Sequence, residues 1–460
     1  MIMLSRRAFV GKALAAGTFP FIPSGCRTLG REKVRLGCVG IGHQAWYDIQ
    51  QFEKTGLVEI AALCDTDLGG KQSAPALAKY PDAPRFTDFR KMLDAMAGRI
   101  DAVAVMTPDH SHFPAAMAAI KAGLPVFVEK PLAHTFEECE LLLKAAEKYG
   151  VVSQMDNMGH SGENYHQFKH YVATGVIDPM RIRRVVAHMN FGRRWHKWNG
   201  HVAAFPSGER LPRGLDWDSW LATASFHDYS KDFVDGEWRS WYDFGNGCLG
   251  DWGAHLIDTI HEFCHLGLPR EIRVSNMAGH NGFVFPMQNT LTFRFDNFDI
   301  EWYEGRDNLP DVPWKIEGTN SGRGKDVPKS GAESLWTTKL QPGKEIYMAD
   351  GVVWKGGSHA APLSVVGHEK ESVPSYPENG SDHFANFLLA VMGREEARSP
   401  ISVAAPLSEV FCLGCIAQRL NRSLKFDPVG KRFVGDDAAD ALLKGSKGTP
   451  RKGWEEFYVV

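Results

Sequence analysis

The sequence lacks long hydrophobic runs. No stretch approaches the roughly 18–20 uncharged apolar residues that span a bilayer, which excludes a membrane-spanning reading. It also lacks strong net charge: 52 Lys and Arg face 55 Asp and Glu, a formal −3. A nucleic-acid binder driven by bulk charge is excluded on that balance. Cysteine is sparse, eight in 460 residues, and Cys38, Cys64, Cys139, Cys248, Cys264, Cys412 and Cys415 are scattered, unlike a small disulfide scaffold. No Cys, His or Asp cluster has metal-ligand spacing, so no metal is expected. Cys412 and Cys415 have redox-pair spacing, but they sit in an apolar helical pattern, Leu407 to Leu420, and read as core. No internal repeat is visible. With 43% apolar and 23% charged residues global disorder is excluded too, and the length suits two or three domains of roughly 150 residues.

The near-neutral total hides two unlike parts. Arg6, Arg7, Lys12, Arg27, Arg31, Lys33 and Arg35 face only Glu32 in the first 35 residues, leaving 45 basic against 54 acidic residues from 36 onward, a net −9. Ser5-Arg6-Arg7-Ala8-Phe9-Val10-Gly11-Lys12 reads as a twin-arginine export signal, followed by a short apolar run from Ala13 to Ile22. The expectation is a periplasmic or otherwise exported protein that meets the twin-arginine machinery. Ser24-Gly25-Cys26 resembles the end of a lipoprotein signal, but Pro23 stands where a leucine-like residue is usual. Lipid anchoring at Cys26 and cleavage nearby both remain open. Residues 1–30 are read as signal and linker, 31–155 as a cofactor domain and 156–460 as a substrate and oligomerisation domain.

Val34 to Val39 is an apolar strand, and Gly40-Ile41-Gly42-His43-Gln44-Ala45 follows at once, matching G-x-G-x-x-G/A. A helical pattern comes next, then a strand from Val58 to Cys64 that ends at Asp65, 25 residues after Gly40. Gly40 permits the tight turn, Gly42 lets the backbone approach a pyrophosphate, and the helix start offers unpaired N–H groups to phosphate. Asp65 suits a ribose and repels a 2′-phosphate, so NAD is expected over NADP. Three further strands end in Thr107-Pro108-Asp109-His110-Ser111-His112, in Glu129-Lys130-Pro131 and before Asn157. Alternating strands and helices imply an α/β doubly wound parallel sheet of the Rossmann type, with ligands at the carboxyl ends of its strands.

With Glu129-Lys130-Pro131, Thr107-Pro108-x-x-x-His112, Gly250-Asp251-Trp252-Gly253-Ala254-His255 and Phe426-Asp427-Pro428, the chain resembles the Gfo/Idh/MocA oxidoreductases. The resemblance implies a C-terminal α+β domain on a large, mainly antiparallel sheet. It implies a lysine beside the nicotinamide, Lys130, and an Asp-x-x-x-His pair, Asp251 and His255. The implied cofactor contacts are Gly40, Ile41, Gly42, His43, Gln44, Asp65, Thr107, Pro108, His112, Glu129 and Lys130. Oxidation of a secondary alcohol needs a base for the hydroxyl proton, which a histidine near neutral pKa supplies, and a cation that steadies the alkoxide. His255 is expected as acid/base, Lys130 as electrostatic partner and Asp251 as orienter, with the choice of proton acceptor between His255 and Lys130 open. Asn157, His160 and Asp258 are weaker substrate contacts, with His160 read equally as a satisfied structural histidine and Asp258 as a helix-surface charge.

Seven of the 13 tryptophans fall between 195 and 252. Trp217 and Trp220, spaced i,i+3, read as core, whereas Trp195 and Trp198 suit a cleft rim for sugar rings. Residues 304–345 read as an insertion that covers the cleft or meets another subunit. A dimer or tetramer is expected. Outside the cytoplasm a free NAD pool is undependable, so a tightly held cofactor and a redox-neutral cycle on a carbohydrate hydroxyl are expected. Alternatives are an NAD-dependent glycosidase that oxidises the sugar ring transiently, and a non-catalytic sugar-binding protein.

Overall fold

The computed structural model describes residues 32–190, 202–305, 308–313, 340–369, 371–377 and 380–460. The twin-arginine segment with Cys26, Trp195, Trp198 and most of the 304–345 stretch lie outside the described residues.

Six strands form the first sheet: β1 (Val34–Val39), β2 (Val58–Cys64), β3 (Arg85–Phe86), β4 (Ala102–Val105), β5 (Val126–Glu129) and β6 (Ser153–Asp156). Their order is β3-β2-β1-β4-β5-β6, every pair parallel. Helices α1 (Gln44–Lys54), α2 (Ala74–Lys79), α3 (Phe89–Ala95), α4 (Asp109–Lys121) and α5 (Phe136–Tyr149) join them. Period-two alternation sends Ala102 and Ala104 of β4 into one apolar cluster, with Ile49 and Phe52 of α1. Val103 and Val105 enter a second cluster with Phe113 and Leu142. Both faces are covered, which is why these strands read as unbroken apolar runs. The two-residue β3 gave no sequence signal of its own.

After α6 (Glu163–Thr174) the chain enters a second sheet at β7 (Ile182–Met189). Helices α7 (Trp217–Leu221), α8 (Gly247–Leu256) and α9 (Asp258–Phe263) precede β8 (Glu271–Ala278), β9 (Gln288–Arg294) and β10 (Asp299–Glu304). Strands β11 (Gly343–Met348), β12 (Val353–Gly357) and β13 (Ser364–Val365), helices α10 (His383–Val391) and α11 (Ile401–Leu420), and β14 (Leu424–Asp427) with β15 (Arg432–Phe433) complete it. The nine-stranded order is β13-β12-β11-β7-β10-β9-β8-β14-β15, antiparallel except where β7 meets β10. Val185, Ile300, Trp302, Leu291 and Phe293 pack from it into the same cluster as Val103 and Val105, so one core runs through both sheets.

Helix α11 begins at Ile401, six residues before the expected Leu407, and runs through Pro406. By length and composition it could cross a membrane, a signal missed by counting uncharged runs, since Glu409 and Arg419 interrupt it. Yet 78% of its apolar window is buried, as in the central helix of a folded domain. Cys412 and Cys415 are buried on it, as read.

Candidate active site

The strand order reverses between β1 and β4, and a cleft of about 700 Å³ opens at the carboxyl ends of the parallel strands. Gly40, Gly42, His43, Gln44, Asp65, Thr107, Pro108, Glu129 and Lys130 all line it. Gly40 stands at φ +86°, and a Cβ there would lie 2.3 Å from the Met106 carbonyl oxygen. Only glycine lets β1 turn against the end of β4 in this way.

No side chain caps the start of α1, so its first N–H groups are left for a phosphate. The Thr107 Oγ1 is buried with no partner among the described residues at the same strand ends. Asp65 accepts from the Asp67 N–H at 3.0 Å and the Ile41 N–H at 3.1 Å, which fixes its carboxylate at the tip of β2. Burial raises its pKa. This donor and acceptor set fits a dinucleotide whose ribose lies against Asp65.

Two expected cofactor contacts are corrected. Ile41 is fully buried and spends its N–H on Asp65, so it shapes the turn from inside. His112 is also buried. Its ring nitrogens face the Pro131 carbonyl at 2.8 Å and the Thr107 carbonyl at 2.7 Å, so it braces two cleft loops from behind. Burial, the largest influence, lowers its pKa.

The polar strand ends also position the helix that carries Asp251 and His255. The Asp109 carboxylate accepts from the Asn246 N–H at 2.9 Å, and the His110 N–H donates to the Phe244 carbonyl at 3.2 Å. These bonds dock the residues just before α8. Asp251 then meets Lys130 across 121 residues of chain, Nζ to Oδ1 at 2.5 Å. Arg239 Nε lies 3.8 Å from the same oxygen, its guanidinium 4.2 Å from the Trp238 ring centroid. Burial opposes charge on Asp251, but Lys130 and Arg239 outweigh it and hold the carboxyl well below its ordinary range. Burial likewise opposes the Lys130 ammonium, and Asp251 and Glu129 outweigh it, raising the pKa.

The four-residue spacing puts Asp251 and His255 on one helix, yet no hydrogen bond joins them among the described residues. Asp251 orients Lys130 rather than the imidazole. His255 is 7% exposed and its Nδ1 is buried without a partner. Burial first, then His359 and Lys130, push its pKa well below the ordinary histidine value. The site therefore joins a permanent ammonium to a neutral imidazole.

The weaker contacts separate. Asn157 Nδ2 reaches Asp258 Oδ2 at 3.5 Å. His160 is sealed between Asp258 Oδ2 at 3.1 Å and Glu262 Oε2 at 2.5 Å. With both ring nitrogens occupied it is a structural imidazolium and makes no substrate contact. Burial works against its charge, but the two carboxylates carry its pKa up to about 9.

Sequence reasoning missed four features. Arg239 was visible only as one of several interleaved cations. His359, in the loop after β12, stacks on His255 with centroids 3.9 Å apart. The fold also gathers Asp48, Glu129 and Asp156, from α1, β5 and β6, within 4.8 Å of one another. Burial first, then mutual repulsion, raise Asp48 and Asp156, so protonation answers that crowding.

The fourth is a strap. Pro212, Leu215, Trp220, Tyr229, Val234 and Trp238 cross over the cofactor cleft. The Asp216 N–H donates to the Thr66 carbonyl at 2.8 Å, and Asp235 lies 3.5 Å from His43. The strap carries its own apolar cluster, in which Trp217 and Trp220 stack with centroids 4.4 Å apart. Both are buried, as read, though Trp220 also faces the cleft.

A parallel-sheet dinucleotide cleft lined by Lys130, which pairs with Asp251 one helical turn from a buried histidine, is the architecture of an NAD-binding Rossmann oxidoreductase fold. Residues 34–157 match the oxidoreductase family model for an NAD-binding Rossmann fold, and residues 161–319 match the family's C-terminal alpha/beta domain. The chain belongs to the Gfo/Idh/MocA oxidoreductase family. It is 33% identical over 126 residues to an alpha-N-acetylgalactosaminidase of Shewanella oneidensis, covering 25% of this chain and 27% of that protein. It is 30% identical over 147 residues to an inositol 2-dehydrogenase of Salmonella typhimurium, covering 31% and 43%. These matches thus span less than half of each relative. In fold it is similar to the WlbA dehydrogenase of Bordetella pertussis, solved with NADH and UDP-GlcNAcA (TM-score 0.57, 15% identity, 86% of this chain and 99% of that one). An aldose-aldose oxidoreductase of Caulobacter crescentus, solved with glycerol, is also similar (TM-score 0.52, 14% identity, 86% and 100%).

Proposed function

We propose that the protein oxidises a secondary hydroxyl of a sugar or polyol and returns the electrons within the same cycle, keeping its NAD throughout. The observation that carries this reading is the Lys130–Asp251 pair beside His255, whose buried Nδ1 has no partner among the described residues. When bound, NAD supplies the acceptor, and later the donor, of the hydride. Lys130 stays protonated because Asp251 holds it so, and its ammonium steadies the developing alkoxide. An ammonium cannot accept the hydroxyl proton. His255, neutral in its buried setting, takes it and gives it back on reduction.

Retention of the cofactor is supported by the strap, whose links to Thr66 and His43 span the cleft. The twin-arginine motif supports export, where such retention matters. The glycosidase relatives favour a second reading, in which transient oxidation of the ring precedes elimination of the aglycone.

The test is to add a panel of sugars, including myo-inositol and N-acetylgalactosaminides, to protein as isolated and follow reduced-nicotinamide absorbance. The expected outcome is reduction of bound cofactor by at least one sugar. Lys130→Ala and His255→Ala should each slow it by about 10²–10⁴-fold. Stabilisation by a sugar without reduction would identify a binding protein instead. Release of free sugar from a glycoside would select the second reading.

A further inference from the structure

His359 has no part in the chemistry derived so far, yet the fold goes to unusual lengths to place it. Its backbone is left-handed at φ +57°, a conformation that costs a non-glycine residue strain. Three contacts enforce it. Its N–H donates to the His255 carbonyl at 3.2 Å, and the Asn164 N–H donates to the next carbonyl, of Ala360, at 3.2 Å. Gly159 presses on the loop so closely that a Cβ there would lie 2.7 Å from the His359 carbonyl carbon. The ring so held lies nearly parallel to His255, at 18°, with Trp252 edge-on at 5.8 Å. Unlike His255 it remains partly accessible.

Its Nδ1 lies 3.0 Å from Ser358 Oγ. If Nδ1 donates there, Nε2 keeps its lone pair, and no hydrogen-bond partner occupies Nε2 among the described residues. Cofacial imidazoles repel one another's charge, so only one of the two is an imidazolium at a time, and His255 releases the hydroxyl proton to solvent before His359 takes one from carbon. Lys130, Asp251, Asp258 and His255 are the charged or titratable groups that act on His359, and burial, the largest influence, with Lys130 keeps it neutral at rest.

We propose that His359 is a second acid–base residue of the site, whose Nε2 exchanges a proton with the substrate carbon next to the one oxidised. This rests on the reading of the site as a sugar oxidoreductase. Once the hydroxyl-bearing carbon is a ketone, the neighbouring C–H is acidic. That bond breaks, its proton goes to His359 Nε2, and its electron pair forms an enolate whose oxygen lies against the Lys130 ammonium. Reprotonation from His359 restores the ketone, and reduction restores the alcohol. His255 serves oxygen and His359 serves carbon. The substrate class is a polyol or sugar with a hydrogen on that neighbouring carbon, the group an elimination or epimerisation would use.

The test takes the enzyme with its cofactor as isolated, myo-inositol and methyl N-acetyl-α-galactosaminide as probes, and D2O as solvent. Proton NMR should show deuterium entering the carbon adjacent to the oxidised one. His359→Gln should cut the ratio of that exchange to nicotinamide reduction by about a hundredfold. Undiminished exchange in the variant overturns the proposal. A structural role alone would lower thermal stability and reduction together. Independently of turnover, a long-range ¹H–¹⁵N spectrum of the wild-type protein should show the His359 proton on Nδ1. A proton fixed on Nε2 refutes the assignment. If neither probe reduces the cofactor, the oxidoreductase reading fails on these substrates, and the nitrogen spectrum still decides the state of His359.

Discussion

His160 and His255 are both buried histidines of the substrate half, and they settle in opposite protonation states. His160 meets Asp258 and Glu262 and is held charged. The His255 imidazole has no hydrogen-bond partner among the described residues and is held neutral, with His359 and Lys130 adding to the effect of burial. Burial is common to both, so the partners decide the state. A structural histidine is one whose nitrogens are spent. A histidine with its nitrogens free, beside a fixed cation, is left for chemistry.

The largest expected effect separates the two by activity. His255→Gln should lower the rate of cofactor reduction by about 10²–10⁴-fold. Its melting curve should stay near that of the wild type, because no hydrogen bond is lost. His160→Gln should do the reverse and cost about 3 kcal/mol in urea unfolding, because Asp258 and Glu262 are left without the imidazolium between them. Similar losses of stability in both variants would break the comparison.

pH sharpens it. A raised histidine pKa contributes stability fully below the unfolded value near 6.5, and that contribution fades as pH rises through about 9. Unfolding curves from pH 6 to 10 should show this loss in the wild type and not in His160→Gln.

Asp251→Asn should have a moderate effect. Burial then dominates at Lys130, its pKa falls, and activity should decline at lower pH than in the wild type, by about tenfold on the alkaline side. An unchanged alkaline limb would detach Lys130 from Asp251. The smallest effect is expected at the strap, where Asp235→Asn removes one half-exposed link to His43. Surface pairs contribute little, so cofactor loss on prolonged dialysis should rise by only about two- to fivefold.

Legibility in the sequence followed distance along the chain. The glycine turn, Asp65 and Lys130 were readable because a βαβ unit puts its ligand groups at the ends of successive strands. Asp251 was found by motif, but its partner was not, since residues four apart on a helix share a face without having to touch. Lys130, a stronger partner for a carboxylate, arrives from another domain. His359 carried no signal, being a single histidine in a short polar loop whose backbone conformation is set by long-range contacts with Gly159, Asn164 and His255. The strap was half legible. Its tryptophan density marked it as unusual, and Trp217 and Trp220 were readable as core, but its place along the cleft rests on a bond to Thr66 from far along the chain.

The central claim is that NAD stays in the protein while a sugar is oxidised and restored. Native mass spectrometry before and after addition of a reducing sugar substrate tests it most directly. The account predicts bound dinucleotide at both points, with reduced-nicotinamide absorbance rising on the protein and none in the filtrate. Protein that arrives without dinucleotide, or NADH released into solution at each turnover, would contradict it.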